Sequence, residues 1–234
     1  MGVPLTETDS IGLGLGYEKT SSTVDTTASP IYADFVNTFG TSYSILHGDA
    51  SWSRDTRDSR IYPMKGFYQR AAAEVGLPGG NLNYAKLSYQ HQWLHPLSRE
   101  TTILLNGEVG WAKGLLGDPF PFFKNYYAGG VSSIRGYKAG TIGLKDIYGH
   151  AIGGTRRLIG NAEYLFPMPG LKNDKSARLS VFVDAGGVYG ADEKISLGDL
   201  RYSAGIALSW SSPVGPLKFS LAKALNAKPD DKTS

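Results

Sequence analysis

Apolar and polar residues alternate along most of this chain. Ile11, Leu13, Leu15 and Tyr17 alternate with Gly12, Gly14 and Gly16, and Leu46, Gly48, Ala50 and Trp52 alternate with His47, Asp49, Ser51 and Ser53. A period of two predicts strands with two unlike faces. The rhythm recurs from Phe67 to Leu77, Ala85 to Trp93, Ile103 to Trp111, Leu158 to Phe166, Leu179 to Ala185, Tyr202 to Trp210 and Leu217 to Leu221. That makes about nine segments, each near the length a tilted membrane strand needs. Rings fall at segment ends: Tyr17, Trp52, Phe67, Trp93, Trp111, Phe166 and Trp210. Amphipathic rings in that position suit two interfacial girdles.

The connections come in two kinds. Pro-containing turns lie at Tyr62-Pro63, His95-Pro96-Leu97, Phe166-Pro167-Met168-Pro169 and Ser212-Pro213-Val214-Gly215-Pro216. Between them fall Pro78-Gly79-Gly80-Asn81, a long Gly-rich loop from Gly114 to Thr155, and Gly190 to Gly198. Such regular alternation assigns each kind of turn to one end of an up-and-down antiparallel sheet. The spacing of Ile31, Phe35, Val36 and Phe39 predicts a short helix in a loop of the second kind. The fold class is all-β: an antiparallel transmembrane β-barrel, partial, with about nine strands over residues 1–225. Residues 226–234 read as a polar, unordered tail. A soluble sandwich also alternates, but it would turn the Leu, Val and Trp positions into a dry two-layer centre.

Composition narrows the function classes. The chain has 234 residues and a net charge of +3. Its basic residues are scattered, so nucleic acid is not an expected partner. It has no cysteine, which removes disulfides, thiolate chemistry and cysteine-based zinc sites. Thirty glycines and 12% aromatics fit strands, tight turns and girdles. The mean hydropathy of −0.22 reflects strands of which only every second residue would meet lipid. Met1-Gly2-Val3-Pro4 lacks the basic start and apolar run of a signal peptide.

Few residues gather into chemistry. His91 and His95 share a strand face but would stand over ~12 Å apart, so no metal is expected there. Gly12-Leu13-Gly14-Leu15-Gly16 opens no helix and lacks the later glycine of a dinucleotide fingerprint. No Gly-x-Ser-x-Gly elbow or phosphate loop is present. Glu163 and Asp184 are two carboxylates of the kind an acid/base pair uses, but nothing else indicates a sugar cleft. We therefore expect no enzyme, no cofactor and no catalytic residue.

The loop holds the more informative group, Ile134-Arg135-Gly136-Tyr137. Glu163 and Asp184 fall on the inward faces of adjacent expected strands. A guanidinium carries five donors in a fixed fork and can satisfy two carboxylates. Gly136 would let the backbone approach the wall, and Tyr137 could pack over the cation. On spacing alone, a solvated arginine is an equal alternative.

The stretch from Tyr126 through Ser133-Ile134-Arg135-Gly136-Tyr137 resembles the loop signature of the Omp85 superfamily. The resemblance extends to Asn161-Ala162-Glu163-Tyr164-Leu165-Phe166-Pro167, Phe182-Val183-Asp184-Ala185-Gly186, and Trp210-Ser211-Ser212-Pro213-Val214-Gly215-Pro216-Leu217. Near the start, Trp52-Ser53-Arg54-Asp55-Thr56-Arg57-Asp58, with Pro63 and Gly66, resembles a family periplasmic turn. It covers nearly the whole chain in order. It implies that the long loop folds into the lumen and that Arg135 docks on Glu163 and Asp184. It also implies residence in the bacterial outer membrane, contact with outer-membrane lipid, and insertion of unfolded β-barrel clients. The full-length family member would work with assembly-complex lipoproteins. The alternative within the family is a secretion pore exporting a partner protein.

The chain departs from the family pattern in extent. The family has POTRA domains and a barrel of about sixteen strands, within the range for bacterial barrels. This sequence shows no POTRA region, begins at what would be roughly the seventh strand and stops short of the last. Leu221-Ala222-Lys223-Ala224-Leu225 also lacks a proline usual there.

Overall fold

The structure is a computed structural model that describes residues 2–21, 30–170, 177–213 and 215–234. Its strands are β1 (Gly2–Pro4), β2 (Asp9–Ser21), β3 (Ser42–Asp55), β4 (Gly66–Leu77), β5 (Tyr84–Pro96), β6 (Thr102–Gly114), β7 (Leu144–Lys145), β8 (Ala151–Gly153), β9 (Arg156–Pro167), β10 (Ala177–Tyr189), β11 (Arg201–Ser212) and β12 (Gly215–Ala224). A single sheet runs β1-β2-β3-β4-β5-β6-β9-β10-β11-β12, and β7 and β8 form a small hairpin inside the long loop. Every neighbour pair in the large sheet is antiparallel. The nine long strands are those the alternation predicts. β1 is a three-residue addition too short to show a period. Among the described residues the sheet does not close: β1 and β12 are its edges.

Side-chain parity decides between sandwich and membrane barrel. The apolar positions lie uncovered, with Leu15 80%, Val183 51% and Ile206 52% exposed. No second layer packs on them among the described residues. The opposite face holds the buried groups, including Thr102, Glu163, Ser180, Asp184 and Ser203. A contiguous apolar exterior around a polar interior is the inverse of a soluble sandwich and matches a barrel wall in lipid. Among the described residues, no helix is long and apolar enough to cross a membrane.

The two kinds of connection fall at opposite ends. The Pro-containing turns join β3 to β4, β5 to β6, β9 to β10 and β11 to β12. At the other end α1 (Pro30–Phe39) joins β2 to β3, and the long loop joins β6 to β9. Phe35, Tyr43, Ile45, Leu82 and Tyr84 form a buried cluster there, with Phe39, Phe120, Phe122 and Phe123 packed against it. Burying these rings folds α1 and the start of the long loop over the lumen.

The expectation of an unordered tail fails for the last residues. Tyr137 pairs with Thr233 in an antiparallel bridge. Lys138 N–H donates to Lys232 O at 2.8 Å, and Ser234 N–H to Gly136 O at 3.1 Å. The physical reason is Asp231, whose side chain is buried and forms ion pairs with Arg201 and Lys145. A polar segment stays unordered only where its charges lack partners. Here β7 and β11, with Asp199 in the loop before β11, supply them.

Candidate functional site

The long loop returns into the lumen as a folded unit. Tyr126 pairs with Gly154 and Ala128 with Ile142. The Tyr126 hydroxyl donates to Leu87 O at 2.6 Å, pinning the loop to β5. Ile134 and Tyr137 are fully buried in a cluster with Tyr126, Ile142, Ile159 and Val188. Burial of this small apolar core holds the loop in place before any charge is considered.

Arg135 projects from that core onto β9 and β10. Its backbone N–H, Nε and Nη2 donate to Asp184 at 3.0, 2.8 and 2.7 Å. Nη1 lies 2.6 Å from Glu163 Oε1, with an angle that makes the contact an ion pair rather than an aligned hydrogen bond. Burial opposes the charge on Arg135. The hydrogen bonds it donates to Asp184 and the charges of Glu163 and Asp184 outweigh that, and its pKa rises above the ordinary arginine value. The guanidinium lies over the Phe182 ring, 3.3 Å from its centroid. Tyr137 does not pack over the cation. Its hydroxyl turns instead to Tyr202 O and Asn226 Oδ1, both at 3.2 Å.

Parity and register bring these groups together. Asp184 stands opposite Asn161 on β9, and Phe182 opposite Glu163. Asn161 Nδ2 donates to Asp184 Oδ1 at 2.8 Å and to Ser133 O at 2.7 Å, tying loop to wall a second time. Lys218 on β12 reaches Glu163 at 3.0 Å. Asn161, Phe182 and Lys218 are the members that motif reading passes over. All three occupy inward positions of their strands, which was the available signal. Gly136 has φ +84°, and a Cβ there would meet the Ala224 backbone N at 3.0 Å. Only glycine lets the loop lie this close to β12.

The turn between β3 and β4 closes the other end of the lumen. Asp58 Oδ1 accepts from Met64 N–H at 2.9 Å and Lys65 N–H at 3.3 Å. Pro63 O accepts from Arg178 Nη1 at 3.0 Å, and the Arg178 guanidinium lies 3.7 Å over the Tyr62 ring. Gly66 has φ +102°, and a Cβ would collide with Thr56 O at 2.4 Å. Asp58, Pro63 and Gly66 thus shape a turn that anchors on β10. They do not touch Arg135.

A buried arginine held by two carboxylates has no vacant lone pair or nucleophile to offer. What it does is fix a loop against a wall. A family model described as the Omp85 superfamily domain matches residues 1–234. The chain belongs to the Omp85 superfamily. Outer membrane protein assembly factor BamA of Neisseria meningitidis serogroup B is 38% identical over 99% of this chain and 34% of its own length. BamA of Nitratidesulfovibrio vulgaris is 32% identical over 75% of this chain and 22% of its own length. A SAM50-like protein of Schizosaccharomyces pombe is 28% identical over 76% of this chain and 40% of its own length. The crystal structure of Haemophilus ducreyi BamA lacking POTRA domains 1–3 superposes with a TM-score of 0.90 at 27% identity, covering 100% of this chain and 51% of that one. The chain therefore spans about a third of the length of the BamA relative it matches from end to end. In this Omp85 chain the docked loop and the wall it grips both lie within the shared barrel.

Proposed function

We propose that this chain is part of the barrel of a BamA-like insertase, which assembles β-barrel proteins into the bacterial outer membrane. The observation that carries the reading is the 38% identity to a BamA over 99% of this chain. The lipid-facing exterior and loop-filled interior support it. Insertion needs no bond to be made or broken. Client strands gain backbone partners at a sheet edge, and the free energy comes from burying apolar side chains in lipid while closing that edge. The arginine loop contributes rigidity: it braces β9, β10 and β12 from within. Outer-membrane lipid, unfolded barrel clients and, in the whole protein, assembly lipoproteins are the partners this reading implies.

Conditional depletion of the gene product carrying this chain tests the reading. Heat-modifiable outer-membrane barrels should fall and unfolded precursors accumulate, while outer-membrane lipoproteins persist. Undiminished folding of those barrels after depletion would sink it. Loss of a single exported protein instead would favour the secretion-pore alternative.

A further inference from the structure

The apolar exterior is interrupted by a strip of alanines. Ala50 stands opposite Ala73, and Trp52 opposite Ala71, across β3 and β4. Leu87 and Tyr89 of β5 face Ala73 and Ala71, and Trp111 of β6 faces Leu87. Small residues between large ones leave an apolar trough of about 530 Å³.

One pleat toward the end of the Pro-containing turns, whose connections are on the whole the shorter ones, the same outer face becomes polar. Arg54 is the register partner of Gln69, and Gln69 of His91. Gln69 Nε2 donates to the Tyr89 hydroxyl at 3.1 Å, which joins the polar row to the trough wall. The Arg54 side chain is 47% exposed, and its contact with Asp9 is long, at 4.0 Å. Asp9 is already engaged by the Thr6 and Thr8 hydroxyls, each at 3.0 Å. The Arg54 guanidinium lies 5.8 Å over the Phe67 ring, and Phe67 stacks on His91 at 6.0 Å. His91 Nδ1 is buried without a hydrogen-bond partner among the described residues. A cation on a lipid-facing row is costly unless an anion meets it.

We propose that these two rows bind one glycerophospholipid. Arg54 takes the phosphate, Gln69 and His91 flank it, and one acyl chain lies in the alanine trough. Adjacent outward positions on a strand are about 7 Å apart. That is the order of the span from a phosphate across glycerol to the first acyl methylenes. Short turns face the periplasm in outer-membrane barrels, so the lipid belongs to the periplasmic leaflet. The site depends on the outer face meeting lipid, which heat-modifiable gel mobility tests separately; it does not depend on insertase activity.

The test uses the full 234-residue chain with Trp93 and Trp210 replaced by Phe, leaving Trp52 and Trp111 as reporters beside the trough. The protein is folded in dodecyl maltoside and titrated with phosphatidylglycerol brominated on its acyl chains. Saturable quenching is expected. Arg54→Gln should raise the half-saturation concentration about tenfold, the loss of one charge-assisted pair. Arg54→Lys, which keeps the charge, should stay close to the parent. Ala73→Leu, which fills the trough, should lower the quenching amplitude. Brominated diacylglycerol, lacking the phosphate, should show no saturation. Non-saturating quenching that is equal for both lipids and unmoved by Arg54→Gln would mean a generic lipid annulus and overturn the site. Should Arg54→Gln fail to fold, unchanged quenching in folded Ala73→Leu would overturn it as well.

Discussion

Arg135 and Asp184 are joined by three hydrogen bonds, one from the backbone and two from the guanidinium, at 2.7 to 3.0 Å. Asp184 is fully buried. Removing the cation leaves Asp184 without an ion-pair partner in the barrel interior and Glu163 with Lys218 alone. Breaking a buried pair from one side costs about 3–5 kcal/mol. Arg135→Ala should therefore loosen the loop and lower the temperature at which the folded gel band disappears. Cleavage within residues 115–155 by added protease reads the loop directly. Unaltered protease resistance together with an unaltered transition would refute the bracing role.

The two acids should not respond alike. Asp184 receives four hydrogen bonds, three from Arg135 and one from Asn161. Glu163 has an ion pair to Arg135 and a second to Lys218, whose side chain is 49% exposed. Asp184→Asn should thus destabilise more than Glu163→Gln. Double-mutant cycles with Arg135→Ala measure both couplings, and a larger coupling for Glu163 would contradict this ranking.

Glycine at 136 is required by both backbone and space. Its φ is +84° and a Cβ would meet Ala224 N at 3.0 Å, whereas Gly140, at φ +70°, faces open space. Gly140→Ala carries only the left-handed penalty, about 1–2 kcal/mol. Gly136→Ala adds a displacement from β12. Thermal transitions of the pair should differ, with Gly136→Ala the lower; equal transitions would show that the loop is free to move away from β12.

How much of this was legible in the sequence varies with the cause. The long strands were legible because lipid outside and polar groups inside impose a strict period of two, as from Leu179 to Ala185. The helix at Pro30–Phe39 was legible from its ring spacing. Parity also places Glu163 and Asp184 on the inward face. It does not say which ring meets the cation: Tyr137 was the nearer in sequence, while Phe182 lies on the neighbouring wall. The course of residues 228–234 was illegible for a different reason. Asp231 is ordered by Arg201 and Lys145, 30 and 86 residues away. No local pattern announces partners that distant.

That strap carries a pH dependence. Burial raises the Asp231 carboxyl, but the hydrogen bonds from Arg201 and the Lys228 N–H, with the charges of Arg201 and Lys145, hold it below its ordinary 3.8. A carboxyl depressed in the folded state contributes stability that is fully present above the unfolded value. That stability is lost as pH falls through the folded value. Amide exchange at Lys138, which donates to Lys232 O, reports the docking. Protection should exceed that of Asp231→Asn by a constant margin above about pH 5, and the margin should shrink toward zero below about pH 4. A margin independent of pH would show that the carboxylate charge does not hold the strap.

The outer face gives the sharpest discrimination between lipid and water. Val183 sits at the centre of β10, points outward and is 51% exposed. On a soluble sheet, an exposed valine replaced by arginine would change stability by less than about 0.5 kcal/mol. At the middle of a lipid-facing strand the same change costs about 2–4 kcal/mol. Arg201, the first residue of β11 and on the opposite face, is a cation that Asp231 meets. Val183→Arg should therefore depress folding into phospholipid vesicles strongly, with denaturant unfolding of the inserted protein as the measure. Val3→Arg, on the exposed edge strand β1 near the short-turn rim, should have a far smaller effect. Equal, small effects at both positions would mean that water rather than hydrocarbon covers the centre of this wall.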